Sequence, residues 1–342
     1  MVDGVSAHDI EGLVQIRHGS PDKVSLIKAL ITHPCTWVCS TLILAVVIFA
    51  IVSPAWCPEV ARCSAVHAET SVIYNACTAS ALGAVFLHEL VCLCLTFKAA
   101  RGAMHIIHNL KDTLIPSAFL CATFIVLFIE NIVFVSETPW YANAMTAGDG
   151  DILDGEPVYT VFYLEWLINV PILMILAGKY ALRRPMTEVA RPLIVTNVYI
   201  ILAWAVHFIP SLAGRMVTLT VTFLMYFWAS YDMVQWVTKH RKGHPEAHLF
   251  GRPFLSIALI VIFGIYGFVF LCRQGGAIST VEERMFFMVM DASTKLLTSV
   301  AFAGLRSSQY HNMLLDMVVN TNTVFQRDLK QPAETTWGRG GS

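Results

Sequence analysis

Eight apolar stretches of about 20 residues each dominate the chain, near residues 35 to 56, 71 to 97, 115 to 135, 158 to 177, 192 to 209, 216 to 238, 253 to 271 and 285 to 305. A helix of that length rises about 30 Å, the thickness of the hydrocarbon core of a bilayer. Backbone groups in lipid must bond within their own segment, so such stretches are predicted to be helices, and the chain an all-α membrane protein in contact with membrane lipid. Charged residues make up only 14% of the chain, against roughly 25% in a soluble domain. The net charge of −1 gives no reason to expect a nucleic-acid partner. The first span lies behind 34 mostly polar residues and reads as a retained extra helix rather than a cleaved leader.

Loop charges orient the bundle. The loops after spans two, four and six hold Lys98, Arg101, Lys111, Lys179, Arg183, Arg184, Arg191, Lys239, Arg241, Lys242 and Arg252. The alternate loops hold Arg62, Arg215, Arg273 and Arg284, and the loop before span four is acidic, with Glu137, Asp149, Asp151, Asp154 and Glu156. Basic loops stay in the cytoplasm, which places both termini there and requires an even number of spans. Most of the nine cysteines fall within spans. Cys57 and Cys63 share an outer loop, where either a disulfide or two free thiols is open.

The last span contains Met290-Asp291-Ala292-Ser293-Thr294-Lys295. A lysine inside a membrane is costly, so it is expected to be functional and to have a partner. Asp291 lies four residues earlier, on the same helical face. A snorkelling helix-end lysine is the plain alternative, but Lys295 lies about ten residues inside its span. The hydroxyls of Thr294 and Ser293 are at hand to fill remaining hydrogen-bonding capacity.

The fourth span carries a second intramembrane acid in Glu165-Trp166-Leu167-Ile168-Asn169-Val170-Pro171. An acid-Trp-Leu-x-x-x-Pro helix combined with a final Asp-x-Ser-x-Lys helix resembles the microbial (type 1) rhodopsins. The resemblance covers residues 71 to 305 and implies a seven-helix bundle, here with one extra N-terminal transmembrane helix at 35 to 56. It implies all-trans retinal bound as a covalent Schiff base on Lys295, with Glu165 as primary counterion and Asp291 as the second. Trp166 and Pro171 belong to the polyene pocket in this scheme, with Phe263 and Phe270 flanking chain and ring, Thr294 beside the lysine, and Tyr266 reaching toward Asp291. The family's seventh-span tryptophans are absent. For the aromatic residues, ordinary apolar packing is the competing reading.

Pump-like members place an arginine three residues before the fourth-helix acid and a carboxylic proton donor eleven after it; Phe162 and Leu176 stand at those positions. That departure argues against vectorial pumping. Glu130, beside Asn131 in span three, is either a sparse pore signal or a buried structural group. His88, Glu89, His207 and Asp232 fit interhelical hydrogen bonding better than a proton relay.

The extra helix and the cytoplasmic N-terminus are similar to the enzyme rhodopsins, most of all the rhodopsin phosphodiesterases. The resemblance therefore implies a photoreceptor acting on a covalently linked cytoplasmic enzyme domain, a cyclic-nucleotide phosphodiesterase. A light-gated ion channel and the membrane region of a rhodopsin guanylyl cyclase are the alternatives. Residues 306 to 342 read as a cytoplasmic signalling helix and linker, following 1 to 34 as the N-terminal segment. Leu314, Val318, Phe325 and Leu329 make a near-heptad stripe that suits a homodimer or a membrane-surface helix. No phosphodiesterase metal box or cyclase aspartate pair lies in the sequence, and Gly338 to Ser342 reads as linker or an appended tail.

Overall fold

The structure is a computed structural model that describes residues 28, 31–52, 69–102, 107–135, 143–144, 156–245 and 251–330, with the backbone alone at 69–71, 96–102, 107–113, 143–144 and 306–330. Among these, the helices are α1 (Pro34–Val52), α2 (Glu69–Gly102), α3 (Ile107–Val135), α4 (Thr160–Ile175), α5 (Met186–Val206), α6 (Leu212–Gly243), α7 (Phe254–Gln274) and α8 (Thr280–Lys330). Eight of their segments are long and apolar enough to cross a membrane. Cys57, Cys63 and most of the acidic loop before span four lie outside the described residues.

The helices α2 to α8 pack in chain order, and α8 closes the ring against α3. The fourth span is the central one, with 78% of its apolar window buried, against 17% for α1. That first helix lies outside the ring, with Ile48 seated over Thr160, Leu164 and Leu167 of α4 and Ile200, Ile201 and Trp204 of α5.

Several boundaries differ from the sequence reading. Below Pro171, α4 continues as a π-helical turn, Leu176–Ala181, so the span runs to residue 181. Gly178 in this turn permits a close approach, since a Cβ there would lie 2.8 Å from Val189 and 3.0 Å from Trp236. Helix α5 begins at Met186, six residues before the expected start, because Pro185 is extended and N-caps it while Pro192 sits inside the helix. The last span ends at Leu305, as expected, but its helix does not: α8 continues without interruption to Lys330. The side chains of the Leu314 to Leu329 stripe lie outside the described residues.

A buried polar network closes the bundle at the Thr280 end of α8. Arg273 Nη2 donates to Thr280 Oγ1 at 2.5 Å, and the guanidinium lies 3.5 Å from Glu156 and 3.8 Å from Glu283. The Arg284 guanidinium lies 4.7 Å over the Phe134 ring and 5.3 Å from that of Tyr159.

Candidate functional site

Helical periodicity places the site residues. On α4, Tyr163, Trp166, Val170 and Leu173 recur every three to four residues and line one wall of an internal cavity. One residue before the tryptophan, Glu165 is 3% exposed and accepts a hydrogen bond from Asn169 one turn on. On α8, Asp291 and Lys295 share a face and are 1% and 2% exposed.

The lysine joins the two acids. Its Nζ lies 2.9 Å from Glu165 Oε1 and 2.5 Å from Asp291 Oδ1. Asp291 also accepts from Trp166 Nε1 at 3.2 Å and from the Tyr266 hydroxyl at 2.8 Å. A buried charge pair is tolerable only when its remaining lone pairs and protons are filled, and Asp291 meets that condition from three helices. Thr294 lines the cavity, and its hydroxyl donates to the Met290 carbonyl at 2.6 Å. Ser293 is exposed, so it does not serve Lys295 as expected; on a helix, residues two apart point in nearly opposite directions.

From Lys295 the cavity runs between α4, α5, α6 and α7. Phe263, Tyr266, Gly267 and Phe270 form the α7 wall, and Tyr199, Thr222, Phe223 and Tyr226 the far end. Trp166 is caged by Tyr163, Tyr266 and Phe287, with ring centroids 5.0 to 5.2 Å away. Pro171 is buried inside α4 and is not among the lining residues.

The residues at the far end escaped the sequence reading. Their signal is a matched spacing: Phe223 and Tyr226 on α6 meet Gly267 and Gly264 on α7, where an added Cβ would lie 3.0 and 2.7 Å from the opposing side chain. The two pairs run in opposite order, as neighbouring antiparallel helices require.

Of the other polar residues, His207, Glu89 and Asp232 form interhelical bonds, whereas His88 is exposed and contacts Cys92 and Glu89 of its own helix, contrary to expectation. His207, just beyond α5, lies 2.8 Å from the Tyr163 hydroxyl and 3.2 Å from Gln274 Nε2, and burial pushes its imidazole down to about 3. Glu89 accepts from Ser299 at 2.8 Å, joining α2 to α8 one turn past Lys295. Asp232 pairs with Arg191 at 3.2 Å, joining α6 to α5. No group of metal ligands occurs among the described residues.

The bacteriorhodopsin-like family model matches residues 88–306, which is 219 of the 342 residues. The chain is a bacteriorhodopsin-like protein. It is thus a multi-pass membrane protein of a family whose members imply a retinal chromophore. Its fold is similar to the transmembrane domain and linker region of Salpingoeca rosetta rhodopsin phosphodiesterase, with TM-score 0.62, 15% identity, and coverage of 88% of this chain and 93% of that one. The transmembrane domain of the same protein without its linker gives TM-score 0.55 at 16% identity, covering 77% of this chain and 96% of that one. The light-driven proton pump from Coccomyxa subellipsoidea gives 0.54 at 14% identity, covering 68% and 96%. No curated protein sequence matches the chain.

The residues present suit retinal. A buried amine for covalent attachment opens on an aromatic cavity, and two carboxylates beside it are placed to hold a positive charge on its nitrogen.

Proposed function

We propose that this protein is a light sensor in which Lys295 holds all-trans retinal as a Schiff base and its signal leaves through α8. The observation that carries the reading is the buried Lys295, paired with Glu165 and Asp291 at the head of an aromatic cavity. Retinal, when bound, supplies visible absorption and light-driven isomerisation. The chain supplies the rest. Glu165 is the main counterion, Asp291 the second, and each keeps the proton on the lysine nitrogen by favouring its charged form. Trp166 and Tyr266 fix the Asp291 carboxylate by donating to it, and Phe263, Phe270 and Thr294 shape the pocket around the attachment point.

For output, both termini are assigned to the cytoplasm, and α8 joins Lys295 directly to a helix long enough to reach an effector. A linked cyclic-nucleotide phosphodiesterase is the favoured effector. Its support is the fold likeness that grows from 77% to 88% of this chain when the Salpingoeca linker is included. In this reading the Leu314 to Leu329 stripe pairs with that of a second copy, giving a homodimer. The test is direct: the chain expressed in membranes with all-trans retinal should absorb visible light, and Lys295→Ala should be colourless. A visible band surviving in Lys295→Ala would sink the assignment.

A further inference from the structure

Among the described residues, three buried acids lie near one another with two cations in reach. Besides Glu165 and Asp291, Glu130 of α3 is buried at 4% exposure and lies within electrostatic reach of both, and of Lys295 and Arg284. Toward the Thr280 end, Arg273 is already matched by Glu283 and Glu156. Among the described residues, the groups around Glu130 are therefore Lys295 and Arg284 as two positive charges against Glu130, Glu165 and Asp291 as three candidate negative ones. An uncompensated buried charge is among the costliest arrangements a protein interior can contain, and an acid in that position takes up a proton instead.

Hydrogen bonding identifies which acid does so. Asp291 accepts from Lys295, Trp166 and Tyr266, and Glu165 accepts from Lys295 and Asn169. Glu165 Oε2 and Glu130 Oε1 are both enclosed and accept nothing, but Glu165 takes its two donors at Oε1, whereas among the described residues no hydrogen bond to Glu130 is found. A carboxylate gains most from such donors, and a neutral carboxyl needs them least. We infer that Glu130 is the protonated member of the trio, a neutral positioning residue that allows Glu165 and Asp291 both to stay ionised beside a single lysine. The charge count is the same for the free Lys295 amine, so the inference is testable without retinal; only its consequence for colour rests on the reading above.

Infrared spectroscopy of the retinal-free chain in lipid at neutral pH is the test, comparing unmutated protein with Glu130→Gln and Glu130→Leu. The unmutated chain should have a protonated-carboxyl carbonyl band, sensitive to deuterium exchange, and both variants should lose the Glu130 share of it while remaining folded by circular dichroism. With retinal, Glu130→Gln should keep the unmutated absorption maximum, because one neutral group replaces another. Equal protonated-carboxyl bands in unmutated and variant chains would overturn the inference. So would failure of both neutral variants to fold, since a neutral side chain is what the position is argued to hold. A colourless unmutated chain would sink the retinal reading alone and leave the infrared result standing.

Discussion

The two ends of the central cavity are built on opposite principles. At the Lys295 end, charges are packed together and tied by donors from α4, α7 and α8, with the distances around Asp291 running from 2.5 to 3.2 Å. At the far end, Tyr199, Phe223 and Tyr226 close the space by shape, and their fit depends on Gly264 and Gly267 bringing two helices close. Charge needs exact partners in low dielectric, whereas apolar contact is spread over many weak interactions. Substitutions at the first end should therefore alter the electronic state of the lysine nitrogen, and those at the second should alter packing.

The largest expected effect is at Glu165. With retinal bound, Glu165→Gln should move the deprotonation midpoint of the Lys295 nitrogen downward by more than one pH unit, each unit being 1.36 kcal/mol. Absorbance against pH measures it, and a larger drop in Asp291→Asn would exchange the two roles. Next comes Tyr266→Phe, which removes a donor to a buried carboxylate and should cost about 1.5 to 3 kcal/mol in stability or in counterion strength. If that variant matched the unmutated protein in both, the two ends of the cavity would be less distinct than drawn. Gly267→Ala places a methyl 3.0 Å from the Phe223 ring and should lower the thermal midpoint while leaving the pH midpoint unchanged. The smallest effect belongs to Tyr226→Phe, which loses one bond to the Ile260 carbonyl, of order 0.6 kcal/mol in a membrane protein. A pH shift in either of the last two would show that the far end reaches the nitrogen electrostatically.

The same contrast explains what could be read in advance. Asp291 and Lys295 are four residues apart, and a buried cation demands a partner, so local spacing was enough. Glu165 lies far away in sequence, yet like Glu89, Glu130 and Asp232 it is an acid that a membrane helix would carry only for a reason, and Trp166 and Pro171 after it set it apart. Tyr199, Phe223 and Tyr226 were invisible because aromatic residues are common throughout these spans, and only the glycine spacing on the opposing helix singles them out. Hydropathy located eight spans but gave α1 and α4 equal standing, since lipid and protein neighbours are both apolar; the burial of α4 follows from its contacts. The π-helical turn and the early start of α5 depend on packing around Gly178 and on Pro185, which no hydropathy window registers.

The unbroken course of α8 gives it a mechanical meaning. From Lys295 to Lys330 is 35 residues of continuous helix, an arm of roughly 50 Å at 1.5 Å per residue. Pivoted near the lysine, a tilt of only about 5 degrees would sweep the far end through about 5 Å, close to one helical pitch. A change too small to break the ion pairs around Lys295 would thus be geared up into a displacement large enough to move a neighbouring helix by a full turn.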